Sequence, residues 1–277
     1  MNAPITRDPA PLARPSGRHW QRFTPRERLM RFAVYLVVVA AIVASARTVE
    51  VIPEFLLDAP EQVHDLLQRM WPIAWSYYPG GVHDALMDTL HIASLGTLIA
   101  LVMALPIGLA AAPNVVPSRV VNFVARLLLV SSRSVNSLVW ALLFVAVFGP
   151  GALAGTLAIA FRSVGFVGKL FGEALEETPR GPLEALEATG APWLARLRWG
   201  WWPQVKPAFW SIALFRWDIN VRESAVLGLV GAGGIGMVLD SAMNLFQWTR
   251  VAMVLAAIFA VVVVAEVIVT QVRKRVL

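Results

Sequence analysis

Four ionisable side chains and an amide crowd into two helical turns of an otherwise apolar run: Arg216, Asp218, Asn220, Arg222 and Glu223. At the centre of a membrane helix each charge costs ~2.5–3.5 kcal/mol, so four facing lipid would cost on the order of 10 kcal/mol. Such groups must turn toward partners or water. At ~100° per residue Asp218 and Arg222 stand one turn apart as an i,i+4 ion pair, while Arg216, Asn220 and Glu223 form a second stripe. Either these charges neutralise one another and lock a helix bundle, or they line a solute pathway. Intramembrane ionisable groups usually mark such a pathway, and a guanidinium fits the geometry of an oxyanion. On that reading Arg222 faces the solute and Asp218 orients it. Arg133 and Asn136 are further candidates for the lining, whereas Arg162 reads equally well as an interhelical partner.

Other chemistries fail on residue type or spacing. The chain has no cysteine, which excludes thiol catalysis and thiolate metal sites. His19, His64, His83 and His91 show no metal-ligand spacing, so no metal site is expected. Gly231-Ala232-Gly233-Gly234-Ile235-Gly236 satisfies G-x-G-x-x-G, but it ends an apolar run and no acid follows at the distance a dinucleotide site needs. These glycines (Gly231, Gly233, Gly234, Gly236) read instead as a hinge or gate where the backbone bends and packs closely. Gly165 to Leu170 lacks the Walker A spacing and its Ser/Thr, so the chain does not bind ATP by that motif.

Composition decides which elements carry these residues. Of 277 residues 57% are hydrophobic and 15% charged, against about 25% charged in a soluble domain. Most of the surface must face lipid. Residues 1–28, with five prolines, read as a disordered tail. The first apolar run, 29–46, is long enough to cross a ~30 Å hydrocarbon core; a cleaved signal peptide is its rival, disfavoured by the long segment before it. Residues 47–81 read as an external segment with a short helix from Pro60 to Met70. Further spans are expected at Leu86–Ala112, Leu127–Phe148, Leu153–Phe171, Pro207–Val230 and Val251–Val272, six in all. With both termini inside, seven basic residues in and just after the tail, then two, five and three in later segments, lie on the cytoplasmic side. Only Arg47, Arg69 and Arg250 lie outside. That asymmetry sets the orientation and explains the net charge of +6 without nucleic acid. Trp193, Trp199, Trp201, Trp202 and Trp210 read as anchors at the inner membrane surface.

The stretch 172–206 lies between spans four and five. Glu184 to Thr189 are good helix formers ended by Gly190, a residue suited to a left-handed C′ position. A second short helix, Pro192 to Arg198, can follow, and Pro203 begins the approach to span five. This helix-turn-helix resembles the EAA loop of permease subunits of binding-protein-dependent ABC importers, with Glu184, Ala185, Gly190 and Pro203 at the family's spacing. Leu186, Gly200 and Trp202 depart from it. Arg133-Ser134-Val135-Asn136, Asn220-Val221-Arg222 and Leu227 to Gly236 resemble the phosphonate and phosphite permeases in particular, with Ser137 and Glu223 as departures that leave the cargo open. The resemblance covers about residues 82–276.

It implies an all-α membrane protein of six transmembrane helices in the importer-permease (MetI-like) architecture, in the bacterial inner membrane, and not an enzyme. The permease domain would be 82–277, with 172–206 as its cytoplasmic coupling loop. Two copies, as a homodimer, would pair with two cytoplasmic ATPases and a periplasmic solute-binding protein, ATP and Mg being held by the ATPase. Glu184, Ala185, Glu187, Gly190 and Pro203 would couple to the ATPase, Glu184 by capping or anchoring the loop helix. The cargo would be phosphonate, phosphite or a related oxyanion. Rivals are a permease for another small solute, an ATP-independent transporter and an intramembrane enzyme.

Overall fold

The computed structural model describes residues 23–49 and 53–276. The expected tail lies, up to residue 22, outside the described residues. Two compact units divide at Gln62/Val63. In the first, α1 (Pro25–Thr48) starts four residues before the apolar run, because Thr24 and Glu27 close a capping box ahead of Pro25. The N–H of Thr24 donates to Glu27 Oε2 at 2.9 Å, and the N–H of Glu27 to Thr24 Oγ1 at 3.4 Å. The unit boundary falls within α2 (Pro53–Met70), which is longer than the helix expected from Pro60. Proline is tolerated at its start and, at Pro60, costs one ladder bond.

In the second unit the regular elements among the described residues are all helical. Short 3₁₀ and π turns (Trp75–Tyr77, Tyr78–Val82) lead into α3 (His83–Ala111). Next come α4 (Arg119–Ser134), α5 (Ser137–Phe148) and α6 (Ala152–Glu176). After them α7 (Gly181–Ala188) is followed by a short α8 (Trp193–Ala195), and a π segment Arg196–Trp201 runs directly into α9 (Trp202–Leu227). A 3₁₀ turn, Gly228–Val230, precedes α10 (Ile235–Asn244), and α11 (Trp248–Val276) ends the chain. Among the described residues four helices are long and apolar enough to cross a membrane, and two bent pairs raise that to six.

Two differences from the sequence expectation matter. The third span is not one helix over Leu127–Phe148: α4 and α5 meet at 89°, with Val135 and Asn136 extended between them. Asn136 is the cause, since its Oδ1 accepts from the N–H of Leu138 at 3.1 Å and starts a new helix. The fifth span does not begin afresh after a separate hairpin helix, but continues from it and bends by 41° into α10, which lies beyond the end expected at Val230.

The bundle centres on α3 against α6. Gly96, Ala100, Ala104 and Gly108 recur every fourth residue along α3 and are buried. A Cβ on Gly96 would stand 2.8 Å from Ile159 Cγ2, and one on Gly108 2.8 Å from Phe171 Cδ1. Lipid offers no hydrophobic drive between helices, so close approach of small residues supplies the attraction.

Candidate functional site

The break between α4 and α5 delivers Arg133 to α6. Ser132 donates its hydroxyl to the Phe161 carbonyl and accepts from the N–H of Gly165 at 3.2 Å. A Cβ on Gly165 would lie 2.5 Å from the Leu129 carbonyl oxygen and 2.9 Å from the Arg133 nitrogen. Only glycine lets the end of α4 seat this closely. One turn back on α6, Arg162 pairs with Glu223 of α9. The same carboxylate accepts from Arg216 Nη2 at 3.3 Å.

Arg216 is nearly enclosed, with its side chain 3% exposed. Its Nε donates to Ser163 Oγ at 2.9 Å, and its guanidinium stands 5.4 Å from the centre of the Phe166 ring. From there a buried polar chain crosses the bundle. Ser163 donates to Asn220 Oδ1 at 3.2 Å, Asn220 Nδ2 to Thr97 Oγ1 at 2.7 Å, and Thr97 to the Ala93 carbonyl at 2.6 Å. The Ser163, Asn220 and Thr97 side chains in this relay therefore each donate to a partner, which keeps the cost of burying them down.

Arg133, Ser134, Arg162, Phe166 and Arg216 line a cavity of ≈ 240 Å³, far above the ~10–15 Å³ that admits one water. Of its three guanidiniums, Arg162 and Arg216 share the carboxylate of Glu223, and Arg133 has no ion pair among the described residues. Arg222 has the opposite balance. It bridges Asp218 and, at 2.9 Å, Glu266 of α11, and Asp218 Oδ1 is buried without a hydrogen-bond partner. Surplus positive charge thus collects around Arg133, Arg162 and Arg216 rather than around Arg222.

Of the residues singled out from sequence, Arg133, Arg216 and Glu223 come together, Asp218 and Arg222 form their own pair, Asn220 lies inside the bundle, and Asn136 caps α5. Sequence reasoning left Arg162 undecided and missed Ser163, Thr97 and Glu266. Glu266 was detectable as the single acid within the run Val251–Val272.

The hairpin forms a second constellation. Leu183 of α7 is buried in a cluster with Phe171, Leu175, Trp201, Val205 and Phe209. Glu184, Ala185 and Glu187 of α7 are exposed. Gly190 has φ +71°, its N–H donating to the Glu187 carbonyl at 2.9 Å, while the N–H of Ala191 reaches Leu186 at 3.1 Å. This is the left-handed helix stop read from sequence. Glu187 and Arg196 pair across the turn. No side-chain cap bond closes α7 at Arg180; Glu184 stands in the first turn, where the helix dipole favours an acid. Pro203 lies in the first turn of α9, and Trp201 is a core residue, 3% exposed, rather than a surface anchor.

The glycine run is a tightly packed joint. Gly231, Gly233 and Gly234 all have positive φ. The Gly231 carbonyl accepts from the N–H of Gly151 at 2.9 Å, and Thr89 Oγ1 accepts from the N–H of Ile235 at 2.8 Å. A Cβ on Gly236 would overlap the Ala225 carbonyl.

Residues 104–277 match the family described as "Binding-protein-dependent transport system inner membrane component". The phosphite transport system permease protein PtxC of Stutzerimonas stutzeri is 40% identical over 79% of this chain and 79% of its own. The phosphate-import permease protein PhnE of Mycolicibacterium smegmatis is 36% identical over 84% of this chain and 44% of its own. Among solved structures, an inward-facing MetNI methionine ABC transporter superposes with a TM-score of 0.62 at 20% identity, covering 71% of this chain and 96% of that one. That similarity concerns the fold, while the identity to the relatives concerns descent. The chain belongs to the binding-protein-dependent ABC importer permeases: it is a membrane permease subunit, not an enzyme, and ATP hydrolysis belongs to separate ATPase partners.

Proposed function

We propose that this permease carries a phosphorus oxyanion, phosphite or a phosphonate, inward past the Arg133–Arg162–Arg216 cavity. The observation that carries this reading is the charge balance there: three guanidiniums, one carboxylate and room for a small anion with its waters. Guanidinium groups bind such oxygens through forked N–H pairs. The relatives named for phosphite and phosphate import support the same cargo class. Arg222, Asp218 and Asn220 border the pathway through the pairing and packing already described. The glycine joint at Gly231, Gly233, Gly234 and Gly236 is the point about which the outer part of the fifth span moves.

Both termini are cytoplasmic on this reading, as the excess of Arg and Lys in the tail and around α7 supports. Two copies form the channel as a homodimer. A periplasmic protein delivers the solute, and two ATPases, holding ATP and Mg²⁺, receive the exposed face of α7 with Glu184, Ala185 and Glu187. Because Leu183 is locked into the core at the foot of α9, a push on α7 moves as a rigid body into the fifth span.

The test is Arg133→Met in proteoliposomes holding the complete importer with ATP. Arg133 is exposed and has no ion pair among the described residues, so the change leaves packing intact. Phosphite uptake should fall at least ~10-fold, the equivalent of one good charge-assisted contact, with the complex still assembled. Uptake at the wild-type rate would refute the role.

A further inference from the structure

A second basic cavity lies beside the first. It measures ≈ 250 Å³ between α4 and α6 and is lined by Arg126, Arg133, Lys169, Glu173 and Glu176 together with apolar residues. Arg133 lines both cavities. The two differ in how their positive charge is already spent. In the first, Arg162 and Arg216 share Glu223 and Arg133 adds a third guanidinium with no ion pair among the described residues. In the second each added cation has its own acid: Arg126 pairs with Glu176 at 2.7 Å, and Lys169 with Glu173 at 3.1 Å. Arg126 is further tied by Nε to the Ala111 carbonyl at 3.1 Å. All four side chains of these pairs are 40% exposed or more, so they meet solvent instead of being sealed in the core.

We infer that the second cavity is a release site for the oxyanion, and that Arg133 hands the anion from the first cavity to the second. This rests on the oxyanion reading above and on α4 and α6 having their Arg126 and Glu176 ends toward the cytoplasm. Conduction through successive sites requires that each bind strongly enough to be entered and weakly enough to be left. A cavity whose cations were all free would trap a multiply charged anion. Glu173 and Glu176 prevent this by competing for Lys169 and Arg126, so the anion passes from a site of surplus positive charge to one that is nearly neutral. Arg133 suits the hand-over because its long side chain is exposed, unpaired among the described residues and common to both linings.

The experiment uses the complete importer in nanodiscs and proteoliposomes, with inorganic phosphite and phosphate as probes. Glu173→Gln with Glu176→Gln removes the competing carboxylates while keeping both cations. Phosphite should then be retained at least fivefold more tightly by the permease, and the maximal uptake rate should fall at least fivefold. Exposed ion pairs contribute little to stability, and Glu173→Gln alone, breaking one pair, should shift both quantities in the same directions by a smaller factor if the double variant assembles poorly. Retention and rate equal to wild type in the variants, with wild-type uptake of phosphite intact, would overturn the release site and leave the oxyanion reading standing. A wild-type importer that neither retains nor moves either anion would overturn both.

Discussion

Arg216 and Arg222 sit six positions apart on one helix and do different work because their neighbours differ. Arg216 is held by Ser163, Glu223 and the Phe166 ring. Exchanging it for Lys keeps the charge and loses the fork, so phosphite uptake should fall about tenfold, the effect of ~1.4 kcal/mol. Measured binding should weaken in parallel. Arg222→Met leaves Asp218 and Glu266 without their shared cation, and uptake should be abolished while the ATPases still assemble. Adding Asp218→Asn separates two causes. Recovery of uptake in the double variant assigns Arg222 to charge balance, and persistent loss assigns it to the solute. These partnerships had no signature in sequence spacing, since Arg162 and Glu223 are 61 residues apart. The i,i+4 pair of Asp218 and Arg222 was legible because helix geometry alone creates it.

Among the elements, α7 and its turn carry the mechanical load in the proposed mechanism. Gly190 adopts φ +71° and has no atom within 4 Å of where a Cβ would stand, so Gly190→Val would meet backbone strain rather than a clash. A non-glycine left-handed residue costs roughly 1–2 kcal/mol, more for a β-branched one. The variant should reach the membrane, bind the ATPases and hydrolyse ATP with uptake lost; unchanged transport would remove α7 from the coupling path. The joint between α6 and the glycine run makes a different prediction. A Cβ on Gly155 would overlap the Ala232 carbonyl, and a backbone atom cannot move aside as a side-chain tip can. Gly155→Ala should therefore destabilise the bundle by about 1–3 kcal/mol, read as a lower melting temperature in detergent. Helix periodicity and the C′ glycine were visible in advance because they are local. The 89° turn at Asn136 was not, because an uninterrupted apolar run has the same hydropathy straight or bent.

For the molecule as a whole, orientation and energy source can be tested with its own chemistry. The chain contains no cysteine, so single cysteines report sidedness without background. Ala188→Cys on α7 should react with an impermeant maleimide only from the cytoplasmic side, and Gln62→Cys on α2 only from the periplasmic side; the reverse pattern would invert the topology. Reconstituted without its ATPases the permease should move no phosphite, and transport in their absence would make it a self-contained carrier.

Hydropathy and the Glu184-to-Pro203 spacing were enough to mark the chain as a polytopic helical permease. Each is a property of short stretches of chain, and a helix in lipid must satisfy its backbone within itself. The sharing of one cavity by Arg133, Arg162 and Arg216, the neutralisation of Arg222 and the proximity of a second, paired basic cavity depended on how α4, α6, α9 and α11 pack. Net charge at a point is a sum over helices distant in sequence, and close glycine contacts such as Gly165 on Leu129 set which of those charges are counted together.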